Sequence, residues 1–196
     1  MSKGRVESFT DAVIAIIITV LVLGLHEPAS SNFGDLFEEW HRLGIYIVSF
    51  LMLAIYWINH HYLFGSIRVV DGKVLWANNF FLLSLTFFPF VTSWLGDYFF
   101  DLSPQLCFGV VIMAADILFF VVAYVLEKAN NLGKVSIFLG KYWKSWVSLG
   151  ANILAIALGI LVSPLFIFGL NALMLILWIM PENRIAKLIQ QHQQHR

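Results

Sequence analysis

The chain has 196 residues, of which 60% are apolar and only 12% are charged, and its formal net charge is zero. Soluble domains carry about 25% charged residues, so this composition excludes an ordinary soluble domain and indicates an integral membrane protein. The single cysteine, Cys107, excludes an intrachain disulfide and a cysteine-based metal site.

Apolar runs predict an all-α membrane protein with six transmembrane helices in each subunit. The predicted helices cover residues 5–25, 43–64, 74–95, 105–127, 143–162 and 165–180. Pro181 ends the last of these helices, because proline breaks the helical hydrogen-bond ladder. We therefore divide the chain into a six-helix transmembrane domain, residues 1–181, and a polar cytoplasmic tail, residues 182–196.

The first predicted helix begins with a charged turn. Residues 5–11 read Arg-Val-Glu-Ser-Phe-Thr-Asp, and the apolar run from Ala12 to Leu25 that follows has 14 residues. About 20 residues are needed to cross the hydrocarbon core, so the helix spans a membrane only if the charged turn is part of it. Charged groups at that depth are costly, and we expect neighbouring helices to cover them.

The distribution of lysine and arginine predicts the orientation. With successive helices crossing in opposite directions, 11 of the 12 basic residues lie on one side, and only Arg42 lies on the other. Because basic loops stay inside, both termini are predicted to be cytoplasmic. The opposite side carries acidic residues that either attract cations or simply solvate the loops. They are Glu27, Asp35, Glu38, Glu39, Asp97 and Asp101.

Polar residues of the first three predicted helices fall at one depth, near the cytoplasmic end. They are Arg5, Asp11, His60, His61, Asn78 and Asn79. Buried polar groups must satisfy one another, so one interpretation is a hydrogen-bonded clamp that holds the three helices together. The alternative is that one of the histidines is a proton-relay or ligand site.

Deeper polar side chains are sparse. Asp116 lies in the middle of the fourth predicted helix, and Asn152 or Asn171 could supply its partner. The two interpretations are an interhelical hydrogen bond and a site of proton or ion coupling. Small residues in the same helices permit close packing. They are Gly109, Gly150, Gly159 and Gly169.

One face of the first predicted helix carries Ile16, Thr19, Val20 and Leu23, with the spacing i, i+3, i+4, i+7. On the pattern alone, this face is most simply a core stripe. Almost every residue of the helix is apolar, so hydrophobic periodicity is a weak guide here. The hydroxyl of Thr19 either bonds a carbonyl of its own helix or faces a pore.

Motifs of common catalysts are missing. The sequence contains no G-x-S-x-G, no H-E-x-x-H and no P-loop, so it indicates no enzyme, no cofactor and no nucleic-acid partner. It also has no T-V-G-Y-G, the filter of ordinary potassium channels.

Several short motifs resemble the transmembrane protein 175 family, which are potassium channels of lysosomes and bacteria. The first helix opens with Arg5-x-x-x-Phe9-Thr10-Asp11, which is similar to the family's R-x-x-x-F-S-D signature. Further similar motifs are Trp57-x-x-His60-His61-x-x-Phe64, Trp76-x-Asn78-Asn79 and Phe87-Phe88-Pro89-Phe90. Threonine in place of the usual serine keeps the hydroxyl, so we expect its hydrogen bond to be retained.

The resemblance implies a homotetramer in a lipid bilayer, with a central pore lined by the first helix of each subunit. It places an apolar constriction at Ile16, a hydroxyl layer at Thr19, and further lining at Val20 and Leu23. The implied function is passive, potassium-selective conduction of monovalent cations, with no metal beyond the permeating potassium ion. The polar structural network then comprises Arg5, Phe9, Thr10, Asp11, Trp57, His60, His61, Asn78 and Asn79.

Two other classes of function fit the same sequence. A proton-coupled secondary transporter would use Asp116 together with His60 and His61. A structural membrane subunit would transport nothing.

Overall fold

The computed structural model describes residues 2–27, 30–34, 39–65, 67, 69–130 and 143–179, and the regular structure within them is helical. The helices described are α1 (Lys3–Val22), α2 (Trp40–Gly65), α3 (Gly72–Thr86), α4 (Phe88–Asp97), α5 (Leu102–Ala129), α6 (Trp143–Leu161) and α7 (Leu165–Ile179). The predicted tail, residues 182–196, lies outside the described residues.

The helices follow the predicted order and lie within three residues of the predicted bounds, with α3 and α4 together in place of the third. Three stretches are long and apolar enough to cross a membrane by themselves: Trp40–Gly65, Gly72–Asp97 and Leu102–Ala129. Shorter apolar helices cover Trp146–Leu161 and Leu165–Trp178. The 20 residues of α1 include the charged turn, so this helix is less apolar than the others.

The third predicted helix, residues 74–95, is interrupted at Phe87, where α3 ends and α4 begins. Pro89 has no N–H group to donate to the carbonyl of Leu85, so the helical ladder is broken at this turn. The ladder resumes where Val91 N donates to Phe87 O at 3.1 Å. The two helices still form one apolar stretch. The predicted span is therefore confirmed, but the prediction that a single helix fills it is wrong at Phe87.

Aromatic side chains link α2, α3 and α5 in the core. Phe81 of α3 is fully buried, and its ring centroid lies 5.5 Å from that of Phe119 and 5.8 Å from that of Tyr56. Both contacts are edge-to-face, a geometry that adds about 0.5–1.5 kcal/mol per pair beyond burial. This cluster holds α3 against α5, which is the most extensive helix contact in the described structure.

Ile167 at the start of α7 is wedged between two glycines. A Cβ atom added to Gly109 of α5 would lie 2.9 Å from Ile167 Cγ2, and one added to Gly159 of α6 would also clash with Ile167. Close packing is thus confirmed at these two glycines. Nothing lies within 4 Å of a Cβ at Gly150 or Gly169, so these two positions do not need glycine for packing within the described chain.

We expect Gly159→Ala to lower the free energy of unfolding by about 1–3 kcal/mol, because the added methyl group overpacks the site. Gly150→Ala is the matched control on the same helix and should be neutral or slightly stabilising. Denaturation of the purified protein in detergent measures both. The second change Ile167→Val should recover part of the loss at Gly159, and equal effects of the two alanines would contradict the wedge.

Candidate functional site

A buried chain of hydrogen bonds connects α1, α2 and α3. The amide nitrogen of Asn78 donates to Thr10 Oγ1 at 3.0 Å, and the amide oxygen of Asn78 lies 2.8 Å from His60 Nε2. All three side chains are almost completely buried. Because a carbonyl oxygen only accepts, His60 Nε2 carries the hydrogen of this bond. We call this chain the Thr10–Asn78–His60 relay. The expected hydrogen bond of the Thr10 hydroxyl is thereby confirmed.

A second polar contact joins α1 and α2 on the exposed side. Trp57 Nε1 donates to Asp11 Oδ1 at 2.8 Å, and the Trp57 ring stacks on His61 with centroids 6.1 Å apart. Asp11, Trp57 and His61 are all exposed in the single chain. This contact is therefore separate from the buried relay.

The remaining members of the predicted network stand apart. Arg5, Phe9 and Asn79 are exposed, and within the described chain the structure gives Arg5 and Asn79 no hydrogen bond or ion pair to the other members. Hydrogen bonds do join the three helices, as the clamp predicts, but they form two separate contacts, and Arg5 and Asn79 take part in neither. Arg5 and Asn79 were included in the predicted network because the sequence gives the depth of a residue along its helix. It does not give the direction in which the residue faces around the helix axis.

The two faces of α1 have opposite environments. The residues buried against the bundle are Val6, Thr10, Ile14, Ile17 and Leu21. The residues Ile16, Thr19, Val20 and Leu23 are exposed, with Ile16 at 61% and Leu23 at 78%. We call these four the open stripe. The interpretation of this face as a core stripe is therefore wrong for the single chain.

The hydroxyl of Thr19 is oriented by its own helix. Thr19 Oγ1 donates to the carbonyl oxygen of Ile16 at 2.8 Å. Since the hydroxyl hydrogen is used within the helix, the lone pairs of the oxygen are what this exposed residue offers to its surroundings. Both local possibilities considered for Thr19 are therefore compatible: it bonds its helix and presents an acceptor on the open stripe.

Asp116 is hydrogen-bonded to Tyr56 and not to either of the predicted asparagines. Tyr56 Oη donates to Asp116 Oδ1 at 2.6 Å. The predicted partners bond each other instead, with Asn152 Nδ2 donating to Asn171 Oδ1 at 3.0 Å. The predicted interhelical hydrogen bond of Asp116 is therefore confirmed, but its partner is Tyr56 and not Asn152 or Asn171. Hydropathy counted Tyr56 among the apolar residues, and only its position one helical turn before His60 could have drawn attention to it.

At the opposite end of the bundle, Arg42 gathers charged and polar groups from three segments. Its Nη2 lies 3.2 Å from Asp97 Oδ1, and its Nη1 lies 2.8 Å from His26 Nδ1. Its Nε lies 2.7 Å from Glu39 Oε2, an ion pair without hydrogen-bond geometry. Two of the acidic residues on this side, Glu39 and Asp97, therefore share the charge of Arg42. Asp35 and Glu38 lie outside the described residues.

Comparison with known proteins agrees with this architecture. The described part of the chain contains no group of three His, Cys, Asp or Glu side chains arranged to hold a metal ion. One solved structure with the same fold is the crystal structure of a lysosomal potassium-selective channel TMEM175 homolog from Chamaesiphon minutus. Its TM-score is 0.76, with 24% sequence identity, over 90% of this chain and 96% of that one. This chain thus shares the helical fold of that protein.

Sequence comparison gives the family. The family model described as "Endosomal/lysosomal potassium channel TMEM175" matches residues 5–89. A potassium channel of Chryseobacterium sp. (strain P1-3) is 33% identical over 193 residues, which is 98% of this chain and 100% of that protein. A potassium channel of Streptomyces collinus is 38% identical over 103 residues, covering 49% of this chain and 48% of that protein. The chain belongs to the TMEM175 family, and the resemblance drawn from its motifs is confirmed.

We expect Asn78→Ala to lower the free energy of unfolding by about 1–3 kcal/mol or more, because it leaves the buried Thr10 and His60 without their partner. Asn79→Ala is the matched control, since the neighbouring amide is exposed, and it should change stability by less than about 0.5 kcal/mol. Denaturation in detergent compares the two. Equal losses, or a change in ion preference without a loss of stability in Asn78→Ala, would contradict a structural role for the relay.

Proposed function

We propose that this protein is a potassium-selective cation channel that conducts passively through a central pore. Four copies of the chain surround the pore, and α1 of each copy lines it. The channel lies in the inner (plasma) membrane, crosses it six times per subunit and has both termini in the cytoplasm. The bacterial relatives that match most or about half of the chain are named potassium channels, and this supports the class of function.

The observation that carries the proposal is the open stripe of α1. In a single chain, one face of this helix is buried and the other has no cover from its own subunit. On the uncovered face, Ile16 is 61% exposed and Leu23 is 78% exposed. Near the N-terminal end of the same helix, Arg5 and Asp11 are also exposed. Charged side chains at membrane depth face protein or a water-filled path rather than lipid. A pore between copies of α1 provides such a path.

The order of side chains along the stripe suggests how ions are selected. A ring of Ile16 forms an apolar neck, which an ion passes only by giving up part of its water. Potassium loses water more easily than sodium, so the neck favours potassium. The next ring, Thr19, offers hydroxyl oxygens, because each hydroxyl hydrogen is bonded to its own helix. Val20 and Leu23 complete the lining, and no T-V-G-Y-G carbonyl filter takes part.

The transporter hypothesis has less support. It requires Asp116 and the histidines to exchange protons, yet His60 bonds Asn78 and Asp116 bonds Tyr56. The fully buried ring of Phe81 contacts both pairs, with its centroid 6.2 Å from that of His60 and 5.8 Å from that of Tyr56. An apolar ring offers no path for a proton. No described contact favours a purely structural subunit.

The assembly can be tested directly. We expect native mass spectrometry in mild detergent to give the mass of four chains, because the polar end of α1 and the open stripe need cover from other copies. The same preparation should carry potassium flux after reconstitution. A stable monomer or dimer with full flux would contradict the tetrameric pore.

Two substitutions test the constriction. Ile16→Asn should increase flux and weaken discrimination against sodium, because a polar ring lowers the dewetting barrier. Thr19→Ala should reduce selectivity with less change in conductance, because it removes four hydroxyls from the tetramer but keeps the neck. Reversal potentials in liposomes under paired potassium and sodium gradients measure both effects.

Two controls separate the pore from the surface. Val20→Ala should have a smaller effect than Ile16→Asn if Ile16 forms the narrowest layer. Ile153→Asn makes the same chemical change on α6 at a side chain that is 55% exposed, close to the exposure of Ile16, and should leave the reversal potential unchanged. Wild-type behaviour of both Ile16→Asn and Thr19→Ala would mean that the pore lies elsewhere.

A further inference from the structure

A cavity lies between α2, α5, α6 and α7, and α1 contributes no residue to its lining. The centres of water-sized molecules can occupy a volume of about 50 Å³ inside it, and the cavity is partly open to the surroundings. A single water needs about 10–15 Å³ by this measure, so several non-hydrogen atoms fit. Most of the lining is apolar, with Met52, Ile112 and Phe119 among the residues that form it. The cavity is therefore distinct from the proposed pore.

The polar groups of this cavity have an excess of acceptors. Asp116 uses Oδ1 to accept from Tyr56, and within the described chain no donor reaches its Oδ2. Asn59 donates its amide nitrogen to Ile55 O at 2.8 Å, which leaves its amide oxygen without a donor among the described residues. Ser148 Oγ already accepts from Trp178 Nε1 at 2.8 Å. A carboxylate oxygen and an amide oxygen thus line an apolar space and lack donors.

Such a site selects its ligand by charge and by shape. A carboxylate away from water is stabilised by a cation that donates hydrogen bonds, and these charge-assisted bonds are the strong ones. The rings of Tyr56, Phe119 and Trp178 also line the cavity, and aromatic faces attract ammonium groups. The small volume admits only a compact head, and the apolar walls favour a short alkyl chain behind it.

We propose that the Asp116 cavity is a binding site for the protonated head of a small primary alkylamine. The ammonium group donates to Asp116 Oδ2 and to the amide oxygen of Asn59, and the alkyl chain packs on Met52, Ile112 and Phe119. Each chain carries one such site, so a tetramer carries four. The site is separate from the ion path, and its occupancy does not depend on conduction.

Calorimetric titration of the purified full-length protein in detergent tests this site. We expect n-butylammonium to bind saturably, with one site per chain, after subtraction of the heat of titration into detergent alone. Neutral n-butanol has the same chain length but no positive charge, and it should bind at least about tenfold more weakly. Equal binding of the amine and the alcohol would overturn the proposal.

Variants identify the group responsible. Asp116→Asn removes the charge but can still accept from Tyr56, and it should weaken n-butylammonium binding by about tenfold or more. Asp101→Asn makes the same change at an exposed carboxylate and should leave binding unchanged. Tyr56→Phe frees the second carboxylate oxygen and should keep or increase the affinity.

A second variant keeps the test decisive if Asp116→Asn does not fold. Met174→Trp adds bulk to the wall of the cavity and should abolish binding of n-butylammonium. Wild-type affinity in Met174→Trp, or in a folded Asp116→Asn, would place the amine elsewhere and overturn the proposal. No saturable binding to the unmodified protein would do the same, and would indicate that the cavity holds water only.

Discussion

The rest of the structure depends on the buried relay of Thr10, Asn78 and His60. In a membrane helix whose two faces are both apolar, hydrophobicity does not fix rotation about the axis, whereas a buried hydroxyl that must meet an amide does. Residues of an α-helix advance by about 100° each, so Thr19, nine residues after Thr10, points in the opposite direction. Because the relay holds Thr10 toward the bundle, the open stripe on the opposite face of α1 points away from the bundle.

The aromatic core has a second consequence, because it keeps two polar networks apart. Phe81 packs against Tyr56, Phe119 and His60, so an apolar ring contacts both networks. The relay and the Tyr56–Asp116 pair therefore satisfy their hydrogen bonds independently. This separation agrees with the proposed channel, in which the residues that hold the helices together differ from those that line the proposed pore. It also leaves Asp116 available for a ligand that has no part in conduction.

The two ends of the bundle are held by different kinds of interaction. At the Thr10 end, neutral hydrogen bonds are buried, and salt does not screen them. At the other end, Arg42 pairs with Asp97 and Glu39 at a partly exposed site, where each ion pair contributes about 0–1 kcal/mol. The position of α1 is therefore set mainly by the relay, and the Arg42 cluster fixes how α2 and α4 meet beyond the apolar core.

The sequence by itself determined the class of protein, the order and bounds of the helices, the family, and the depth at which Thr10, His60 and Asn78 lie. These properties follow from the hydropathy, the charge and the spacing of residues, all of which are present in the linear sequence. Only the tertiary structure decided that Tyr56 is the partner of Asp116 and that Asp11 lies outside the relay. Partners and faces depend on how each helix is rotated and packed against its neighbours, and a helix that is apolar all round carries no record of that rotation in its sequence.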